Sequence, residues 1–238
     1  MKHEQGATMI IVLVVLLLVA IAGTIALRSG VFGMRLSTNS QVAKLLSNNS
    51  DSALTKFEDM KPLDIQVNFA LGGTYNYLLD PATADDELVF CYDAEERDTF
   101  NMNQAAVIKF SGTPERTPNF CDATTFSSDR GVVITQVHMR KNTADDKVGE
   151  GYTTSTGIAS VENRINISTS AISVMPAFSN EDQTTGTQIA EINRCLQLTA
   201  FKKTPTTETN AECFTAAGIP HQVHNADFES GNVVKATR

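Results

Sequence analysis

Residues 7–27 read ATMIIVLVVLLLVAIAGTIAL and contain no charged side chain. At about 1.5 Å per residue, a helix over this run is as long as the hydrocarbon core of a bilayer is thick. The run is longer than the apolar region of a secretory signal peptide, and it continues into Arg28 without a small-residue cleavage site. We therefore expect a membrane-spanning helix that is retained in the mature protein.

A polar leader, MKHEQG at residues 1–6, precedes the apolar run and ends in Gly6. Leader, glycine and apolar helix together resemble the type III signal of type IV pilins and of type II secretion pseudopilins. The form QGATMIIVL at residues 5–13, followed by ALRS at 26–29, is most similar to PilX-type minor pilins. The resemblance covers the amino terminus only, so the rest of the chain has to be interpreted separately.

The resemblance implies a processing site and a modification. A prepilin peptidase would cut between Gly6 and Ala7 and would methylate the new amino terminus at Ala7. Most pilins carry a glutamate as the fifth residue after the cut, and this chain has Ile11 there. PilX-like minor pilins and K-type pseudopilins are similar to it in lacking that carboxylate.

An ordinary signal anchor, with Gly6 at its edge by chance, is the alternative interpretation of the amino terminus. Charge bias does not decide between the two interpretations: Lys2 precedes the span whereas Arg28, Arg35 and Lys44 follow it, which taken alone disfavours a cytoplasmic amino terminus. The leader and the cysteines favour the prepilin interpretation.

The long-helix proline of many major pilins is also absent, and three glycines are the expected weak points of the helix instead: Gly23, Gly30 and Gly33.

The helical pattern continues beyond the span, because apolar residues recur on one face up to Lys61-Pro62: Leu46, Ala53, Phe57 and Met60. The polar run SNNSDS at residues 47–52 is poor helix material and predicts fraying or a kink. We expect three parts: a leader at 1–6, a transmembrane and assembly helix at 7–60, and a periplasmic head at 61–238.

Alternating apolar residues after Pro62 predict an antiparallel sheet, so the expected fold class is α+β. Residues 65–71 and 75–79 predict a hairpin with a bulged three-residue turn at 72–74. Further strands are predicted at 88–92, 106–110, 132–139, 164–174 and 189–201. Residues 142–156 and 179–188 are predicted to be exposed loops, and the end of the chain from Gly218 a mobile tail.

The four cysteines, whose spacing does not match a zinc site, are expected to form two disulfides in an oxidising compartment: Cys91, Cys121, Cys195 and Cys213. Spacing leaves all three pairings open. If sequence neighbours pair, each bridge contributes roughly 3–4 kcal/mol in the chain-entropy model. The Cys195–Cys213 pairing is favoured by its short loop with Pro205, and this region resembles the carboxyl-terminal disulfide loop of pilins, which makes subunit contacts.

Candidate catalytic and metal-binding residues are few. His138 is expected on the polar face of a strand, and His221 and His224 follow Pro220 without a helix pattern that would pair them on a metal. Acidic clusters at 85–87 and 93–98 do not match a calcium loop, although calcium at the second remains an alternative to a solvated loop. Nucleophile-elbow, P-loop and Rossmann motifs are absent, so we expect neither an enzyme nor a cofactor.

Charge and resemblance together give the functional expectation. The net charge is −8 and there is no block of Lys or Arg, so nucleic acid is not an expected partner. The resemblance implies a minor pilin that primes pilus assembly: it is anchored by one span in the inner membrane with a periplasmic head, and is then carried to the pilus tip. Its partners would be the prepilin peptidase, inner-membrane lipid, other minor pilins, the major pilin and a large tip adhesin.

Two other interpretations stay open. A K-type minor pseudopilin of a type II secretion system is the nearer, although that family usually inserts a sizeable helical subdomain into its head and no long amphipathic helix is predicted after residue 61. A membrane-anchored periplasmic enzyme is the other, and the missing motifs disfavour it.

Overall fold

A computed structural model of the chain describes residues 5–96, 98–115, 119–123, 127, 131–142, 160–176, 186–202, 204–205 and 207–234. The helices are α1 (Gln5–Glu58), α2 (Pro62–Phe69), α3 (Thr74–Leu79), α4 (Gly186–Leu196) and α5 (Asn210–Ala216), with a short 3-10 helix at Met102–Gln104. The strands are β1 (Glu87–Cys91), β2 (Ala106–Ile108), β3 (Pro114–Glu115), β4 (Ile134–Lys141), β5 (Ser160–Val174) and β6 (His221–Val234).

The strands form one six-stranded sheet in the order β3-β2-β1-β4-β5-β6. Every neighbouring pair is antiparallel. The longest ladder joins β5 and β6, from Ser160 opposite Val234 to Val174 opposite His221, with one irregularity between Val161 and Asn163. A long apolar amino-terminal helix, an antiparallel sheet and disulfides confirm the α+β class.

The chain divides into two compact units, Met1–Val42 and Ala43–Arg238. In its described part, the first unit is the beginning of α1 alone. The second unit contains the end of α1 together with the sheet and the other helices. The compact unit that holds the sheet therefore starts within the helix, earlier than the expected start of the head at residue 61.

One face of the sheet packs against the end of α1 and against α2 and α3. Phe57 of α1 is buried here, with its ring 5.2 Å from Phe100 and 4.9 Å from Phe228 in edge-on arrangements. The predicted apolar face of α1 is confirmed, because Leu46 and Ala53 are also buried and Met60 packs at the margin of this core. Sheet residues complete it: Leu88, Phe90, Val137, Met139 and Ile167.

The opposite face of the sheet is covered by α4 and α5. These helices bury Ile192, Leu196 and Phe214 on the sheet, and the two cysteines that link them lie in the same cluster. The sheet contributes Ile134, Ile172 and Val174 to this second core. Both faces of the central strands are thus buried, which makes β4 a nearly continuous run of buried residues.

The predicted hairpin over residues 65–79 is wrong, because the chain forms α2 and α3 there. Pro62 occupies the first turn of α2, where its fixed φ suits a helix and its missing N–H costs nothing. Gly72 has φ +84°, and a Cβ on Gly73 would lie 2.4 Å from the carbonyl oxygen of Asn68. The two glycines form the tight connection between the helices, and Leu71 beside them is almost fully exposed instead of facing a core.

Two predictions near the carboxyl end are also wrong. Residues 189–201, predicted as a strand, begin in α4, because Ile189, Ile192 and Leu196 recur at helical spacing. The predicted mobile tail from Gly218 contains β6, whose residues are mostly polar and half-exposed. Pairing with β5 stabilises this strand, since the backbone bonds of a ladder do not depend on apolar alternation.

The remaining strand predictions are confirmed, with ends shifted by a few residues: β1, β2, β4 and β5. Of the two predicted loops, residues 143–156 and 179–185 lie outside the described residues. Asn142, at the start of the first, donates its backbone N–H to Asn166 O at 2.8 Å, and residues 186–188 begin α4.

Candidate functional site

The first half of α1 presents apolar side chains to its surroundings. From Met9 to Leu27 every large apolar side chain is about half exposed or more, and Ile11 is among them. A window of this helix has a mean hydropathy of 3.2, so its length and composition suffice to cross a membrane. Gln5, Gly6 and Ala7 already belong to α1, which puts the expected cleavage point in the first turn of the helix.

Three glycines leave the helix unbroken. A Cβ added to Gly23, Gly30 or Gly33 would have no atom within 4 Å, and α1 runs through all three positions. Their small size is therefore not needed by any contact within the described part of the chain. The weak points expected at these glycines do not appear as kinks in this structure.

The polar run at residues 47–52 joins α1 to the sheet, and the predicted fraying there is wrong. Ser50 is fully buried and donates to Ser173 Oγ at 2.8 Å; Ser173 in turn bonds Thr135 Oγ1 at 2.9 Å. Ser127 adds a bond of 3.1 Å to Asn49 Oδ1. This chain of hydroxyl groups, which we call the hydroxyl seam, satisfies polar atoms that would otherwise destabilise the interface.

A serine, a histidine and an aspartate lie in the order of a catalytic triad beside the hydroxyl seam. His224 Nδ1 is 2.5 Å from Asp51 Oδ1, and its Nε2 is 3.3 Å from Ser47 Oγ. Ser47 lies within α1, however, where the adjacent backbone N–H groups are used by the helix and cannot form an oxyanion hole. The arrangement therefore acts as a clamp between α1 and β6, and gives no support to hydrolysis.

The second acidic cluster surrounds a lysine ammonium. Lys56 Nζ donates to Asp93 O at 2.7 Å, to Ala94 O at 3.4 Å and to Glu96 O, and it lies 5.3 Å from the centre of the Tyr92 ring. Burial lowers the pKa of Lys56, and the nearby Asp93 and Glu96 carboxylates oppose that shift. The loop carbonyls that would serve a calcium ion are therefore bonded to α1.

A buried pair of ionisable residues lies on the other face of the sheet, where the expectation of a solvated His138 is wrong. His138 and Glu87 are almost completely buried, with Nδ1 2.6 Å from Oε1. Glu87 also accepts from Thr199 Oγ1 and, at 2.8 Å, from the Ala200 N–H. Helices α4 and α5 and the Thr199–Ala200 segment cover this face, which strand alternation alone does not reveal.

Bonds to Gln136 determine the proton positions on His138. Gln136 Oε1 accepts from the Cys121 N–H at 3.1 Å, so its Nε2 is the amide nitrogen, and it donates to Leu196 O at 2.7 Å and to His138 Nε2 at 2.9 Å. Asn210 Nδ2 lies 3.1 Å from the same ring nitrogen. His138 Nε2 is therefore an acceptor, and Nδ1 carries the proton that is donated to Glu87.

Both disulfides join sequence neighbours, which resolves the three pairings that spacing left open. Cys91 bonds Cys121, and Cys195 bonds Cys213, so all four cysteines are paired. The second bridge closes a loop that contains Thr199, Ala200 and the start of α5. Glu87 and His138 thus hold the same loop that the disulfide closes.

Metal binding has little support in the described residues. Glu191 lies close to Cys195 and Cys213, but disulfide sulfurs are not thiolate ligands. His221 and His224 are three residues apart on β6, so they lie on opposite faces of the sheet. His221 stacks near Phe214, whereas His224 binds Asp51.

Comparison with known proteins adds no name to these features. No protein-family model, no curated protein and no solved structure matches the chain.

Proposed function

We propose that this chain is a PilX-type minor pilin that primes assembly of a type IV pilus and sits with other minor pilins near the fibre tip. The observation that carries the proposal is α1 itself. From Met9 to Leu27 the helix is uncharged, apolar and exposed, while its end is a buried element of an antiparallel sheet domain. This combination supports a subunit that can exchange lipid for neighbouring helices without unfolding its head.

Ile11 supports a position at the start of assembly. A carboxylate in the bilayer costs about 2.5–3.5 kcal/mol near its centre, and less near the edge, unless a partner neutralises it. A subunit added first has no neighbour beyond it whose amino terminus could do so. An isoleucine at this position avoids that cost. Because residue 11 lies near the start of the span, where the cost is smaller, we expect Ile11→Glu to leave piliation nearly unchanged.

The two disulfides support a head built for an oxidising compartment. In the resembling family the equivalent loop makes subunit contacts; here the Cys195–Cys213 bridge closes the loop, Glu87 accepts from its Ala200 N–H, and His138 Nε2 lies 3.1 Å from its Asn210 Nδ2. We propose a periplasmic head before assembly and a place on the cell surface afterwards. Other minor pilins, the major pilin and a tip adhesin are the proposed partners.

Maturation and piliation test this proposal. Intact-mass analysis of the membrane form should show loss of residues 1–6 and one added methyl group on Ala7, and Gly6→Val should block both. Deleting the protein should sharply lower the number of surface pili, and label on the head should mark fibre ends only. An uncut chain in cells that make the peptidase, or label along the shaft at the level of the main subunit, would refute it.

A K-type pseudopilin is the nearest competitor, because it too lacks the glutamate. In the described part of the chain, no helix after α1 is longer than α4, at 11 residues, which does not suggest a large helical insertion. Loss of protein secretion with normal pilus number in the deletion strain would favour that alternative.

A further inference from the structure

We propose that a groove at the Glu58 end of α1 binds a segment of a partner subunit that presents an apolar side chain beside Lys or Arg. This groove, which we call the α1–α2 groove, is formed by residues 52–61, α2 and residues of the segments 92–94 and 98–101. The inference rests on the proposed function, since it assigns one surface through which the subunit would meet its neighbours.

The α1–α2 groove is large and partly apolar. It encloses about 1150 Å³, and Met60, Tyr92 and Phe100 contribute to its lining. On α2, Leu63 is 68% exposed and Val67 is 53% exposed, one helical turn apart on the same face. A short helix that turns two large apolar side chains towards a groove and away from its own core is typical of a binding surface.

The charges around the groove favour a basic partner. Asp59, Asp64 and Asp98 line it and are exposed. The described lining also carries two ammonium groups: Lys56, which is bonded to loop carbonyls, and Lys61, so the described carboxylates exceed the ammonium groups by one. Complementary charge guides association and disfavours wrong partners. A second copy of this chain, with its net charge of −8, suits this rim less well than a segment carrying Lys or Arg.

A buried amide in the groove adds hydrogen-bonding capacity. Asn68 is more than nine-tenths buried and lines the groove, yet its Nδ2 is 3.5 Å from Met60 Sδ, a weak acceptor. A backbone carbonyl of a docked segment is a stronger acceptor for that N–H. The groove thus combines an apolar contact, a rim of carboxylates and a polar anchor.

Site-specific photocrosslinking in cells that assemble pili tests the proposal. The full-length protein carries a benzoylphenylalanine at position 63 or, as the matched control, at position 110, because Phe110 is 66% exposed and lies outside the groove. We expect at least tenfold more crosslinked heterocomplex from position 63. Mass spectrometry of the crosslinked peptide should place Lys or Arg within a few residues of the attachment point.

Charge reversal tests whether the crosslink reflects specific binding in the α1–α2 groove or non-specific binding to an exposed apolar surface. Asp59→Lys combined with Asp64→Lys should lower the crosslink yield from position 63 at least tenfold, whereas Asp85→Lys, an exposed residue outside the groove, should not. Equal yields from positions 63 and 110, a crosslink to a second copy, or insensitivity to the Asp59 and Asp64 changes would each overturn the proposal. Loss of pili on deletion combined with any of these results would overturn the groove alone and leave the pilin function standing.

Discussion

Two stretches of α1 break the usual link between apolar composition and burial: one is apolar and exposed, and the other is polar and partly buried. Residues 9–36 include some of the most apolar sequence in the chain, and their large side chains are exposed. Residues 47–52 are serine, asparagine and aspartate, yet Ser50 is fully buried, and Ser47 and Asp51 bond His224 of β6. The difference shows that burial depends on available partners: a polar side chain can be buried when its hydroxyl is paired, and an apolar stretch stays exposed when nothing in its own chain covers it.

Two phenylalanines of α1, one exposed and one buried in the head, give the largest expected difference in stability. Phe57 is 3% exposed and Phe32 is 70% exposed, on the same helix. Phe57→Ala should lower the unfolding free energy of the head by about 3–5 kcal/mol, because it leaves a cavity beside Phe100 and Phe228. Phe32→Ala should change it by less than about 0.5 kcal/mol. Denaturant titration of both variants in the same detergent compares them, and equal midpoints would contradict the contrast.

The buried Glu87–His138 cluster extends the comparison to a polar interior away from α1. Glu87→Ala leaves three donors without their acceptor, His138 Nδ1, Thr199 Oγ1 and the Ala200 N–H, and should cost about 3–5 kcal/mol. Hydrogen exchange should accelerate most at residues 199–200. The exposed Glu191→Ala change, which removes a surface pair with Arg194, is the control and should cost no more than about 1 kcal/mol. A similar loss from both variants would mean that the buried cluster does not stabilise the loop.

A buried phenol makes stability depend on alkaline pH. Burial raises the pKa of Tyr75 to about 12 against the ordinary value of 10, with a hydrogen bond from Ser230 opposing the shift. Below pH 10 the phenol is neutral in both states, so its contribution is fully present; between pH 10 and 12 only the unfolded chain ionises, and about 2.7 kcal/mol is lost. Tyr75→Phe should flatten the stability profile in that window relative to the unchanged protein, measured by denaturant titration at each pH. Parallel profiles would contradict this assignment.

Single hydroxyl deletions give the smallest contrast. Ser50→Ala removes the donor to Ser173 in the hydroxyl seam and should destabilise the head by about 1 kcal/mol. Thr24→Ala removes a bond to Ile21 O on the exposed part of α1 and should leave the head unchanged within about 0.5 kcal/mol. If the two variants lose the same stability, the seam contributes no more than an exposed hydroxyl.

The elements that can be predicted from the sequence are those that depend on hydrophobic periodicity alone. The apolar span, the buried face of α1 and strands β1, β2, β4 and β5 follow from hydrophobic periodicity. The strand predicted over residues 65–71 is wrong. Ile65, Val67 and Phe69 alternate with polar residues, which is typical of a strand, whereas Pro62 and the close approach at Gly73 favour two short helices. Tertiary contacts decided that segment.

Other features had no local signal. β6 is built mostly of polar residues and depends on its ladder with β5. His138 alternates with the apolar residues of β4, so it was expected in solvent; its burial requires α4 and α5 on the second face of the sheet. The processing site at Gly6 and the role of Ile11 rest on resemblance and stay predictions.

The connectivity of the disulfides has a consequence for how the head matures. Each bridge joins a cysteine to the next one in the sequence, with separations of 30 and 18 residues, and the two loops do not interlace. A head that crosses the membrane in chain order, beginning with the residues after the span, would expose Cys91 and Cys121 before Cys195 and Cys213. Oxidation in order of emergence would then give the native pairing directly, so maturation should need a thiol oxidase but no reshuffling by an isomerase.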